Sequence, residues 1–270
     1  MTTVNTASAP RRTTGATGAT DHGIPLSRIT RTELRKMFDT RSGFWLSASI
    51  GIVALLATAA VIVLASDDQL TYATFTSAIN IPLTVLLPMI AILSVTSEWT
   101  QRSGLTTFTL VPHRGRVIAA KALASIGVAA VAIPLAFGVG ALGNLIGATA
   151  AGIEPVWNLT VLDLVGSVLG NVLSVLFGFM LGVLIRNSAG ALVAYFVYQV
   201  LLPILASTVA ASQTWFRDLQ PWVDFDYAQS ALFHGALTSQ QWAHLAFTGT
   251  VWLVIPMIIG LLLVRKAEVS

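Results

Sequence analysis

Residues 164–185 read Leu-Val-Gly-Ser-Val-Leu-Gly-Asn-Val-Leu-Ser-Val-Leu-Phe-Gly-Phe-Met-Leu-Gly-Val-Leu-Ile, with no Asp, Glu, Lys or Arg among them. A helix of about 20 apolar residues crosses roughly 30 Å of hydrocarbon, so this stretch alone is long enough to span a bilayer. Its apolar residues run on continuously instead of alternating. Only helices and closed barrels satisfy their own backbone groups in lipid, and an unbroken apolar run points to the helix. Five further charge-free windows lie at 42–66, 69–97, 122–153, 187–216 and 227–264. Together they predict an all-α polytopic membrane protein with six transmembrane helices. The last window has room for one crossing and an interfacial segment as well. Composition agrees: of the 270 residues only 10% are charged, against about 25% in ordinary globular chains, and mean hydropathy is +0.78.

The opening stretch also carries a line of small residues, Gly166, Gly170, Ser174, Gly178 and Gly182, spaced by four. That spacing puts them on one helix face, where small side chains let backbones approach closely. The line is predicted to pack against another helix of the same subunit or across a dimer, with a place along a transport path as the alternative. Gly143 and Gly147 extend the idea into span three. Gly138-Val139-Gly140-Ala141-Leu142-Gly143 matches GxGxxG, but dinucleotide binding needs a preceding strand and a soluble βαβ unit. Within an apolar span the pattern reads as helix packing.

Basic residues set the expected orientation. Seven precede span one: Arg11, Arg12, Arg28, Arg31, Arg35, Lys36 and Arg41. Four more, Arg102, Arg114, Arg116 and Lys121, surround the loop between spans two and three; Arg186, Arg265 and Lys266 fall on the same side, and only Arg217 does not. Both termini are therefore expected in the cytoplasm. The net charge of +3 follows from this bias and does not argue for nucleic acid. No cleavable signal peptide is expected, because residues 1–23 are rich in Thr, Ala and Gly with no apolar core.

The chain divides into a disordered cytoplasmic tail (1–26), a short helix (27–43), the six-span membrane domain (44–265) and a cytoplasmic tail (266–270). In the short helix Ile29, Leu34, Met37 and Phe38 are interleaved with Arg28, Arg31, Arg35 and Lys36. This reads as an amphipathic helix on the inner leaflet, or as charges that merely flank span one. Ser27 or Thr30 is a candidate cap, with Glu33 three residues after Thr30 as in a capping box. Pro82 and Pro88 in span two and Pro203 in span five are expected to kink their helices. The outer segment 212–240 holds Trp215, Trp222, Phe225, Tyr227 and Phe233, suited to the membrane interface. A short helix is expected there near 225–234, ending at Gly235, and Thr238 with Gln241 forms a capping-box pattern before span six.

Several chemistries are excluded. Cysteine is absent, so no thiolate nucleophile or disulfide exists. There is no HExxH and no GxSxG, and without a Gly-Lys pair there is no P-loop. His22, His113, His234 and His244 are scattered; only His234 and His244 share the outer surface in this reading. No charge sits deep in a span, which argues against proton coupling. The neutral polar residues there, Asn80, Asn144, Asn171, Tyr195, Tyr198 and Gln199, are expected to tie helices together. An intramembrane enzyme would need a cluster of catalytic side chains on facing spans, and none is evident. A non-transport assembly protein remains the alternative class.

Residues 97–121, Ser-Glu-Trp-Thr-Gln-Arg-Ser-Gly-Leu-Thr-Thr-Phe-Thr-Leu-Val-Pro-His-Arg-Gly-Arg-Val-Ile-Ala-Ala-Lys, form the one elaborate loop. The bland reading is a topology-setting loop with a Gly turn and a Pro stop. Its Glu-Trp pair, the Gly six residues on, the Leu-x-Pro-x-Arg segment and the Ala-Ala-Lys entering the next helix resemble membrane subunits of ABC transporters of the type-2 exporter family. The six-span plan and Glu33-x-x-Lys36 extend the likeness. Leu105 after Gly104 and His113 before Arg114 depart from the family pattern. The resemblance implies a bacterial multi-pass permease subunit in the cell membrane, paired with a second permease as homo- or heterodimer. It implies no catalysis on this chain: ATP and Mg would sit on a separate ATP-binding subunit. That subunit would dock on Glu98, Arg102, Gly104, Thr106, Thr107, Pro112, Arg114 and Arg116.

Overall fold

A computed structural model of the chain describes residues 25–39, 41–100 and 114–266. The described chain is helical throughout, with no β-strand, and six helices are long and apolar enough to cross a membrane. Helix α1 (Leu26–Asp39) precedes four long helices: α2 (Arg41–Leu64), α3 (Tyr72–Thr100), α4 (Arg114–Ala151) and α5 (Val161–Ile185). Helix α6 covers Ser188–Phe196, widens into a π turn at Val197–Leu201 and continues over Leu202–Ser212. Two short helices follow, α7 (Thr214–Val223) and α8 (Phe225–Ser230), the second prolonged by a 3-10 turn at Ala231–Phe233. Helix α9 covers Ser239–Gly249, widens at Thr250–Val254 and continues over Ile255–Lys266. The six helices long and apolar enough to cross are α2, α3, α4, α5, α6 and α9.

Helices α3 and α5 are the central pair. In its most apolar stretch α5 buries 56% of its residues, against 17% for α6. The line of small residues explains the difference. A Cβ on Gly178 would lie 2.8 Å from Pro88 Cβ and 2.9 Å from the Pro88 carbonyl, and one on Gly182 would lie 3.1 Å from Val95. Gly166 lies under the Leu232 carbonyl, and a Cβ on Gly170 would stand 2.5 Å from the Phe233 ring. The lower half of the line therefore takes α3 and the upper half takes the 3-10 turn after α8. The whole face is covered within one chain, leaving none of it for a dimer contact. Around the pair, Ile79, Leu83 and Leu87 of α3 meet Ile133 of α4 and Val175 and Phe179 of α5 in one core cluster. A second cluster joins Phe177 of α5 to Tyr195 and Tyr198 of α6 and Phe225 and Leu232 beyond. In α4, a Cβ on Gly143 would lie 3.0 Å from the Phe75 ring, so the GxGxxG match sits in a helix-packing contact.

The prolines disturb the backbone in two ways. Pro88 has no N–H to offer the Thr84 carbonyl one turn back. The Tyr195 hydroxyl of α6 donates to that same carbonyl and stands 3.0 Å from the side-chain amide of Gln199. Pro203 and Pro256 each stand two residues after a π turn. Widening the preceding turn relieves the clash of the proline ring with the carbonyl four residues back. The polar residues of the spans tie helices together only in part. Asn171 Nδ2 donates to Asn80 Oδ1 at 2.7 Å, joining α5 to α3. Asn144 Nδ2 instead donates at 3.1 Å to the Val156 carbonyl in the loop after its own helix, and the buried Tyr198 hydroxyl has no partner among the described residues.

Two expectations need correction. Helix α1 starts at Leu26, directly after Pro25, so Thr30 lies inside it and its hydroxyl donates to the Leu26 carbonyl at 3.0 Å. Glu33 is not half of a capping box, because its carboxylate is engaged elsewhere. The outer segment does not simply lie at the interface either. Gln229 Nε2 donates to Ser174 Oγ at 2.6 Å and to the Gly170 carbonyl at 2.9 Å. Ser174 is about 20 Å along α5 from its first residue, past the midpoint of that helix. Helix α8 thus packs one face, with Phe225, Ala228 and Gln229 buried, against the middle of α5, while Tyr227 stays exposed. The helix and Gly235 stop foreseen at 225–235 are present, with Gly235 at φ +111°, as is the Thr238–Gln241 capping box.

Gly178→Leu should drive a side chain into the Pro88 backbone and cost about 1–3 kcal/mol or more of overpacking. Thermal melts in detergent should show a clearly lowered Tm. Gly138→Ala, where an added Cβ meets nothing within 4 Å, should melt at the parental temperature or slightly above it.

Candidate functional site

Along α1, Ile29, Glu33 and Met37 recur every four residues and so share one face. Ile29 is buried, Met37 packs on the first core cluster, and Glu33 between them is 4% exposed. A carboxylate on a buried face needs partners. Lys121 Nζ of α4 donates to Glu33 Oε2 at 2.6 Å, and Lys36 Nζ to Oε1 at 2.7 Å. The Lys121 ammonium also donates to the Ser94 carbonyl of α3 at 3.0 Å. Lys121 is itself only 6% exposed. One buried ammonium therefore holds α1, α3 and α4 together. Alongside it, the Ser94 and Ser125 hydroxyls stand 3.4 Å apart, and Thr96 Oγ1 meets Ser188 Oγ at 2.7 Å, tying α3 to the first turn of α6.

Burial by itself raises the Glu33 carboxyl pKa. The charge of Lys121 and its hydrogen bond, followed by those of Lys36, outweigh that and hold the carboxyl below its ordinary 4.5. Such a buried pair adds little net stability, since desolvation offsets much of the attraction, but removing one partner strands a buried charge. Its consequence is positional. Helix α1 cannot move away from the α3–α4 pair without exposing Glu33 and Lys121 to a search for new partners.

This clamp sits at the base of the helices that flank the loop. Glu98 falls in the last turn of α3, Arg114 is the first residue of α4, and Arg116, half-buried, lies in the same first turn. Arg102, Gly104, Thr106, Thr107 and Pro112 lie outside the described residues. At about 1.5 Å per residue, α3 and α4 are about 43 and 57 Å long, well beyond the roughly 30 Å of hydrocarbon. The surplus of α4 includes its charged opening turns, on the side where α1 lies. The other candidate set, Gly166 to Gly182, is used up in packing; its Gly182 end lies against Val95, next to the Ser94 that Lys121 binds, and its Gly166 end lies under the turn after α8. Lys121 counted in the sequence as an orienting charge and as the end of the Ala-Ala-Lys segment; the signal that could have paired it with Glu33 was the carboxylate in the apolar Ile29–Met37 line.

The opposite end is built differently. Arg217, the basic residue that breaks the charge pattern, donates from Nε to the Ala210 carbonyl at 3.1 Å and so closes the end of α6. Trp252 Nε1, in the π turn of α9, donates to the Val223 carbonyl at the end of α7 at 2.8 Å. His234 is exposed, whereas His244 is buried with its ring 4.4 Å from that of Trp222. The two histidines therefore do not share a surface. Among the described residues no three His, Asp or Glu side chains group as metal ligands.

No protein-family model matches the chain, and no curated protein matches it. What sequence and structure establish together is a polytopic α-helical membrane protein with a charged clamp at one end and an inserted helical segment at the other.

Lys121→Ala should destabilise by about 1–3 kcal/mol, because Glu33 keeps Lys36 but loses its buried partner. Glu33→Met with Lys121→Met should cost less than the two single changes added, and a double-mutant cycle of melting curves reads the difference. The folded-state pKa of Glu33 lies below its unfolded value, so its contribution is complete above about pH 4.5 and fades as pH falls through the lower folded value. Acid titration of the parent should show this loss, and Glu33→Gln should show a flatter profile below pH 4.5.

Proposed function

We propose that this chain is the membrane-spanning permease subunit of an ATP-binding-cassette exporter in a bacterial cell membrane. A separate ATPase subunit supplies the energy, and two permease chains form the path. The resemblance of residues 97–121 to the type-2 exporter family motivates the reading. The observation that carries it is the clamp: the two helices bearing the loop are locked by Lys121 to α1, so force applied to the loop moves three elements as a unit. Rigid-body rocking of such a unit is a common way to alternate access. The absence of charge deep in the spans supports an external energy source over proton coupling. With the ATPase on the cytoplasmic face, the docking surface is the α1 end of the molecule, and Glu98, Arg114 and Arg116 flank or enter the contact.

The affinity-tagged chain, solubilised from its native membrane, should bring down an ATPase containing a P-loop. Glu98→Ala with Arg114→Ala should reduce the recovered ATPase by about tenfold, the effect of losing roughly 1.4 kcal/mol of binding. Glu33→Met with Lys121→Met, which removes the clamp without leaving a buried charge, should leave recovery near normal but weaken substrate-stimulated ATP hydrolysis in vesicles. Failure to recover any such ATPase from the parental protein would overturn the reading in favour of a non-transport membrane protein.

A further inference from the structure

An open groove of about 610 Å3 runs between α1, α2 and α4. Leu34 and Phe38 of α1, Ile50 and Gly51 of α2, and Gly127 and Val131 of α4 line it, and Ser47 supplies its single hydroxyl. The volume is that of a small-molecule site, but its walls are almost wholly apolar. Open space continues beside both glycines, where an added Cβ meets nothing within 4 Å. On α4 the lining extends from Gly127 to Val139, about 18 Å of helix. Half of a bilayer's hydrocarbon is roughly 15 Å thick. The groove thus has the length of one leaflet and starts at the level of α1.

Its entrance is basic. Arg31 stands three residues before Leu34, and Arg35 three before Phe38, so each arginine neighbours a groove residue on the helix surface. Both arginines are exposed, as are Arg28 and Lys36. Asp39 is the nearest opposing charge, with its carboxylate 3.9 Å from Arg35 Nε and open to solvent; Glu33 is turned away into the clamp. A surplus of positive charge at the mouth of an apolar groove, at the edge of a membrane, complements a lipid that carries a phosphate at one end and hydrocarbon at the other.

We propose that the groove binds one acyl chain of an anionic phospholipid from the leaflet on the α1 side, with Arg31 and Arg35 holding its headgroup phosphate. The proposal is independent of the exporter reading. The lipid wedges α1 against α2 and α4 on the face beside the Glu33–Lys121 clamp, so the clamp and the lipid together seat α1.

The test reconstitutes the purified chain in vesicles containing phosphatidylglycerol or phosphatidylcholine with a diazirine on one acyl chain, and maps the labelled peptides. Phosphatidylglycerol should label residues 47–54 and 127–139 roughly tenfold more than phosphatidylcholine does. Gly51→Leu with Gly127→Leu fills open space and should abolish labelling of those peptides, while labelling of the exposed face of α6 around Val193 and Phe196 stays unchanged as a check on folding. Arg31→Glu with Arg35→Glu, changed only at the surface, should bring the preference for phosphatidylglycerol down to about one. Equal labelling by both lipids in the parental protein overturns the anionic site. So does an unlabelled groove accompanied by chain-to-chain crosslinks at Val131, which would assign the groove to a second copy.

Discussion

A carbonyl or amide in hydrocarbon has no water to turn to, and most of the departures from regular helix in this protein answer that constraint. Pro88 leaves the Thr84 carbonyl without its helical donor, and a tyrosine from α6 supplies one. The prolines of α6 and α9 are each preceded by a widened turn. Where α6 ends, Arg217 reaches back to the Ala210 carbonyl; where α7 ends, an indole N–H reaches the Val223 carbonyl. The Gln229 amide of α8 finds its own partners on α5, the Gly170 carbonyl and the Ser174 hydroxyl. A helical segment can enter the bundle without crossing it only because its polar groups meet protein partners.

The same constraint applies more severely to charge. Glu33 and Lys121 are both nearly inaccessible, and each satisfies the other. In a chain so poor in charge, burying two ionised groups is a costly choice, and its effect is to specify position. Because Lys121 also donates to α3, the pair decides where an otherwise amphipathic surface helix must sit. The neighbouring face of α1, with Leu34 and Phe38, is left apolar next to arginines, and that asymmetry makes the groove beside it fit a lipid. In the proposed exporter, the clamp also converts a push on the loop between α3 and α4 into movement of α1.

Much of this was legible in the chain. Each of the six spans is visible as a charge-free window because crossing hydrocarbon depends on local composition. The line from Gly166 to Gly182 was visible because four-residue spacing defines a helix face. The capping box before α9 was visible because its two residues are neighbours in sequence. The capping box at Thr30 misled because Thr30 and Glu33 have the right spacing inside a helix that had already begun at Leu26. The outer segment misled because its aromatic and acidic residues suit an interface, while the depth of α8 is decided by one glutamine and two glycines on another helix. Of the loop residues, Arg102, Gly104, Thr106, Thr107 and Pro112 lie outside the described chain, and the structural placement concerns their flanks, Glu98, Arg114 and Arg116.

The sequence by itself determined that this chain is a helical membrane protein, where its spans lie, and which helix faces are small enough for close approach. These follow from transfer free energy and helical periodicity, which are properties of single residues and near neighbours. The tertiary structure decided the partners. Glu33 meets Lys121 across 88 residues, and Gln229 meets Ser174 across 55. No local pattern encodes such pairs, because the cost of an unpaired buried group depends on what else the fold brings within reach, and only the assembled bundle sets that.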